Sequence, residues 1–91
     1  MNYNIIITNK ASSDIDEIAA FVFQASASAE TTRKFINNIY EKIEILADFP
    51  NSGNNPRNRA LLTEGYKFLV FEKYLIFYRL ENDAIYISSV F

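Results

Sequence analysis

The spacing of apolar residues changes period twice along the chain, and the changes predict its elements. Residues Tyr3–Thr8 hold three consecutive Ile, β-branched and apolar enough for a buried strand. From Ala11 the apolar positions move to steps of three and four: Ala11, Ile15, Ile18, Ala19 and Val22 share one helical face. Asp14, Asp16 and Glu17 fall elsewhere on that helix, near its positive N-terminal end. Thr8 or Asn9 can cap it, with Ser12 or Ser13 as alternatives. The small polar stretch Gln24–Ser28 predicts a break, with Ser26 or Ser28 capping the next helix. That second helix is expected from Ala29 to Asp48. Phe35, Ile39, Ile43 and Leu46 form its seam, Ile36 and Tyr40 widen it, and Pro50 cannot continue it.

Pro50–Arg59 is turn chemistry throughout. Beyond it Leu61–Thr63 is read as a short strand, and Tyr66–Phe71 and Tyr74–Leu80 as stronger ones. Only Glu72 and Lys73 separate the last two, which implies a tight hairpin. Glu81-Asn82-Asp83 is the next turn, and Ala84–Phe91 the final strand. The fold class is therefore α+β in β-α-α-β-β-β order, with a helical hairpin packed on one face of a mainly antiparallel sheet. The 91 residues read as a single domain, residues 1–91.

Period-2 alternation splits Tyr74–Leu80 into Tyr74, Ile76, Tyr78 on one face and Leu75, Phe77, Arg79 on the other. Tyr66–Phe71 splits into Tyr66, Phe68, Val70 and Lys67, Leu69, Phe71. Neither face of either strand is wholly polar. Two helices cover one side of such a sheet, and the other would expose more apolar area than the few hundred Å² a monomer ordinarily shows. The expectation is that a partner chain, a second copy or a further segment covers it, rather than strand twist and loops alone.

Composition narrows the chemistry. Eight Phe and six Tyr supply a core for so small a domain. With no Cys and no His, disulfides, thiolate nucleophiles, Cys/His zinc sites and imidazole acid–base chemistry are excluded. The cluster Asp14, Asp16, Glu17 reads as a solvated helix start rather than a metal site, and no cofactor is expected. No apolar run approaches the ~18 residues of a membrane span and no signal pattern opens the chain, so a cytoplasmic protein without membrane contact is expected. The net charge of −2 hides an asymmetry: residues 1–56 carry four basic and seven acidic side chains, whereas residues 57–79 carry five basic and two acidic. The bulk charge argues against direct sequence-specific nucleic-acid binding, and the basic strip suits an acidic partner.

Candidate partner-binding residues come from that strip and its strands. Arg79 among aromatic neighbours is read as a displayed cation able to pair with a carboxylate or phosphate, against an internal salt bridge with Glu81 or a helix carboxylate. Arg57, Arg59, Lys67, Tyr74 and Tyr78 complete the set, each also explicable as a solvated loop or ordinary sheet residue. No catalytic residue is assigned. Phosphate-cradling, dinucleotide and HExxH motifs are absent, and a Ser nucleophile would lack a His base.

The helix running Ala11, Asp14-Ile15-Asp16-Glu17-Ile18, the longer helix ending Ile45-Leu46-Ala47-Asp48-Phe49-Pro50 and the following Gly53 are similar to RelE/ParE toxins. Tyr74-Leu75-Ile76-Phe77-Tyr78-Arg79, followed by Ile85-Tyr86-Ile87-Ser88-Ser89-Val90, resembles the ParE branch, and the likeness spans nearly the whole chain. The resemblance implies the toxin of a bacterial type II toxin–antitoxin pair, neutralised by a small ParD/RelB-like antitoxin whose segment wraps it. ParE-type members poison DNA gyrase, and RelE-type members cleave messenger RNA on the ribosome. The RNA-cleaving branch has a Lys where this chain has Lys67, another where Leu69 stands and an Arg where Leu75 stands. Two of those three cations are missing, which favours a non-catalytic, gyrase-directed activity. Family members usually continue past the last strand into a short polar tail, whereas this chain stops at Phe91, so a truncated or inactive form is a further expectation. A ribosome-dependent endoribonuclease and a non-toxic, self-associating module remain the alternatives.

Overall fold

The computed structural model describes residues 3–91. Strand β1 (Asn4–Ile7) leads into helix α1 (Asn9–Ser26), followed by α2 (Ala29–Glu44), a 3₁₀ turn (Ile45–Ala47), a short α3 (Arg59–Thr63) and strands β2 (Tyr66–Phe71), β3 (Tyr74–Glu81) and β4 (Ala84–Val90). The sheet order is β1-β4-β3-β2, with β1 parallel to β4 and the other neighbours antiparallel. The expected α+β class and element order therefore hold.

Local chemistry explains the helix boundaries. Thr8 Oγ1 accepts the Ala11 N–H at 3.1 Å and donates to the Ile87 carbonyl at 2.8 Å, so one hydroxyl starts α1 and ties it to the sheet. Helix α1 ends at Ser26, within the expected break, where Ala27 adopts a left-handed conformation (φ 53°) and its N–H closes the last turn onto the Phe23 carbonyl. Ser28 then caps α2 by accepting the Thr31 N–H at 3.1 Å. Helix α2 ends at Glu44 rather than Asp48, and its last turn tightens to 3₁₀ as both Asp48 and Phe49 donate to the Ile45 carbonyl. Leu61–Thr63 is helical and not a strand. Asn58 Oδ1 accepts the Leu61 N–H at 3.1 Å, a cap that outweighs the strand preference of three residues.

The core lies between the helical hairpin and one sheet face. Ala11, Ile15, Ile39, Ile43 and Leu46 meet Leu69, Ile76, Tyr78, Ile85, Ile87 and Val90, all buried. Phe35 adds edge-on contacts to Phe71 and Tyr74, with ring centroids 5.6 and 5.7 Å apart. Ser88 is an extra residue in β4, since Tyr78 pairs with Ile87 and the preceding Phe77 with Ser89. This bulge keeps both Ile87 and Val90 on the core face.

Residues 47–54 form a strap that runs from one sheet edge to the other. The Tyr3 N–H donates to the Ala47 carbonyl (2.9 Å) beside β1, and Asn54 exchanges two backbone bonds with Phe68 of β2 (2.8 and 2.9 Å). Midway, Tyr78 Oη donates to the Pro50 carbonyl (2.9 Å) and accepts the Gly53 N–H (3.0 Å). A Cβ on Gly53 would lie 2.5 Å from Tyr78 Oη and 2.9 Å from the Phe68 carbonyl oxygen, so only glycine fits. The strap covers part of both edges, which otherwise present unpaired backbone groups.

Candidate functional site

The face of the sheet turned away from α1 and α2 carries an aromatic and aliphatic surface. Register places Tyr66 opposite Arg79, Phe68 opposite Phe77 and Val70 opposite Leu75 on it. Beyond β3, the backbone of Leu75 exchanges hydrogen bonds with that of Phe91, so Phe91 continues the β4 ladder. Phe77 sits at the centre, 5.6 Å from the Phe68 ring and stacked on Phe91 at 5.3 Å. Val70 is 49% exposed, Phe91 64% and Ile6 of β1 41%. Short helix α3 lies next to β2, and its Leu61, with Lys10 of α1, borders this side near Phe77 and Phe91. The second face is therefore apolar and open, as strand alternation predicted, and side chains of this protomer do not seal it.

Arg79 belongs to this face. Its guanidinium lies 5.5 Å from the Tyr66 ring centroid and donates to Glu81 Oε2 at 2.7 Å. That hydrogen bond, and then the charge of Glu81, raise its pKa above the ordinary arginine value, so it stays a cation. The internal salt bridge with Glu81 is thus the arrangement adopted, on a partly exposed surface where it contributes little to stability.

The other candidate residues do not converge on Arg79. Tyr78 requires a correction: it is fully buried and has no surface to offer a partner. Its ring completes the core and both lone hydroxyl functions are spent on the strap, while burial pushes its pKa up against the opposing Gly53 bond. Tyr74 lies on the helix side against Phe35, with the Lys73 ammonium 5.7 Å from its ring centroid. Lys67 is also on the helix side, donating to Asn55 Oδ1 at 2.8 Å. Arg57 precedes α3, Arg59 opens it, and both are exposed. The positions where the RNA-cleaving branch carries cations do not meet either. Leu69 points into the core and Leu75 to the open face, so the two flank no common phosphate.

The residues that do come together there, Val70, Leu75, Phe77 and Phe91, were outside the candidate set. Period-2 alternation in β2 and β3 is the signal that finds three of these four residues, Val70, Leu75 and Phe77, once the core face is known. Among the described residues no group of acidic side chains is arranged to hold a metal ion, and no helix is long and apolar enough to cross a membrane.

Comparison with known proteins adds to this geometry. No curated protein matches the chain. A solved chain of the chromosomal ParDE toxin–antitoxin system from P. aeruginosa is similar in structure at 21% identity and a TM-score of 0.77, covering 97% of this chain and 92% of that one. At that identity the likeness speaks to the fold. The family model described as the ParE toxin of the type II toxin–antitoxin system parDE matches residues 5–91, nearly the full length. With its fold, order of elements and sequence agreeing, the chain belongs to the ParE toxin family.

Proposed function

We propose that this protein is the toxin of a type II toxin–antitoxin pair, that it acts by binding DNA gyrase without catalysing a reaction, and that a ParD-like antitoxin neutralises it by covering the open sheet face. Family membership supports the class of target and the existence of an antitoxin. The observation that carries the mode of action is the character of that face. It offers stacked Phe side chains and one strand cation already paired with Glu81, which suits a desolvated protein contact. Strand cleavage of RNA needs cations around the scissile phosphate, and Leu69 and Leu75 stand where the RNA-cleaving branch carries two of them, on opposite faces of the sheet.

A supercoiling assay with purified DNA gyrase tests the reading. The expected result is inhibition by micromolar protein, relieved by the product of a short neighbouring gene. Undiminished supercoiling would count against gyrase as the target, and messenger RNA cut within codons in a translating extract would replace the reading with ribosome-dependent cleavage. A stable homodimer in light scattering, together with unaffected growth on expression, would instead favour a self-associating module.

A further inference from the structure

Strand β4 extends past its neighbour β1. The two pair only as far as Ile7 opposite Ile87, and the chain of β1 then turns into α1. On that side Ser88, Ser89 and Val90 have no strand beside them. On the other, β3 still pairs with Ser89 and Val90, and the backbone of Leu75 exchanges two bonds with that of Phe91. Val90 is buried and its N–H points away from β3, so it needs a partner from elsewhere. Two side chains at the start of α1 stand in for the missing strand. Thr8 Oγ1 makes a bifurcated bond to the Ile87 and Ser88 carbonyls (2.8 and 3.2 Å), and Asp14 Oδ2 accepts the Val90 N–H (3.0 Å). A carboxylate suits that place, because it accepts without needing an acceptor in return and its bond to an N–H is stronger than a neutral one. Lys10 Nζ lies 3.1 and 2.9 Å from the two Asp14 oxygens and holds the carboxylate in one orientation.

The bond reaches the opposite face of the sheet. The bulge at Ser88 turns Val90 into the core, and alternation sends the next side chain, Phe91, to the open face. There it stacks on Phe77, with planes 21° apart, and Phe77 in turn neighbours Phe68. Three rings from neighbouring strands thus form a row, and its outermost ring belongs to the residue that follows the one Asp14 holds. With 64% of its surface exposed, Phe91 is held weakly by its own burial, so the backbone bonds around it fix its place. We infer that Asp14 is a positioning residue for the open face: by accepting the Val90 N–H from the helix side, it keeps Phe91 in the ladder and completes the row of rings that a partner meets. The inference rests on the proposed antitoxin contact only for which partner reads the row.

Amide exchange and ring contacts of the whole protein, read by NMR, test the positioning. Calorimetric titration with the proposed ParD-like antitoxin tests its consequence. Asp14→Ala keeps the helix, since alanine suits a helix interior, and should speed Val90 amide exchange by about tenfold or more. The contacts between the Phe91 and Phe77 rings should disappear, and antitoxin binding should weaken by about tenfold. Asp14→Asn retains a neutral acceptor for the Val90 N–H and should restore part of each loss. Asp16→Ala removes an exposed carboxylate of the same helix and should change none of them. In a Phe91→Ala background, Asp14→Ala should weaken binding no further, because the two act through one ring. Unchanged Val90 exchange or persisting ring contacts in Asp14→Ala would overturn the inference, and so would additive losses in the double variant. Absence of binding by the unaltered protein would defeat the antitoxin reading alone, since exchange and ring contacts decide the inference without a partner.

Discussion

Tyr78→Phe removes one oxygen from the core and nothing else, so it isolates what holds the strap. The ring stays buried and the apolar contacts survive. What is lost is the bond donated to the Pro50 carbonyl (2.9 Å) and the bond accepted from the Gly53 N–H (3.0 Å). Each neutral bond contributes about 0.5–1.5 kcal/mol net, and a donor or acceptor left without a partner under the strap adds to the loss. The sum is about 2 kcal/mol. For a domain of this size that corresponds to a fall in Tm of about 8–16 °C, read by thermal unfolding followed by circular dichroism, with an unchanged denaturant m-value. The pH dependence carries a second signature. Burial raises the folded-state pKa of Tyr78, so its contribution is fully present below the unfolded value of about 10 and is lost as pH rises through the folded value. The variant should lack that part of the alkaline decline. Gly53→Ala should be comparably harmful, and adding Tyr78→Phe should rescue it only in part, because the clash with the Phe68 carbonyl persists. A Tm within about 2 °C of the parent would mean that water replaces both bonds and that Tyr78 does not anchor the strap.

Other perturbations probe the remaining joints. Asp14→Asn weakens the link from α1 to the Val90 N–H and to Lys10, and should cost about 1 kcal/mol near neutral pH in urea unfolding. Burial of Asp14 acts to raise its pKa, but the Val90 and Lys10 interactions prevail and lower it. Its contribution is therefore present above the unfolded carboxyl value of about 3.9 and vanishes as pH falls through the folded one, where parent and variant should converge. Ala27→Gly relieves the left-handed conformation after α1 and should stabilise the protein by about 0.5–1 kcal/mol, visible as a higher urea midpoint. Glu72 occupies the same backbone region in the β2–β3 turn (φ 55°), so Glu72→Gly should give a gain of similar sign.

Periodicity made most of the architecture legible. The triple Ile of β1, the two amphipathic seams and the two-residue gap at Glu72-Lys73 each leave one sensible choice of element, and the structure adopts it. The errors fall where local and tertiary signals compete. Leu61–Thr63 is too short for a period to declare itself, and the Asn58 cap decides for helix. The parity of β3 was readable, but which of its faces meets the helices depends on register across the sheet. That is why Tyr78 could be taken for a surface residue while Phe77, on the exposed side, was passed over. The strap was invisible because its bonds join residues 25 and 28 positions apart through one hydroxyl. Apolar alternation on both faces did foretell an open second side, and that is the feature the functional reading depends on.

Two residues of equal exposure offer the most direct trial of that reading. Val70 on the open sheet face and Phe23 on α1 are each 49% exposed, so replacing either by Glu disturbs the fold to a similar, small extent. Calorimetric titration with the proposed ParD-like antitoxin should show Val70→Glu weakening binding by about 30-fold or more, as a hot-spot loss of at least ~2 kcal/mol requires, with Phe23→Glu close to the parent. The opposite ranking, with Val70→Glu binding normally and Phe23→Glu impaired, would place the partner on the helices and contradict the account.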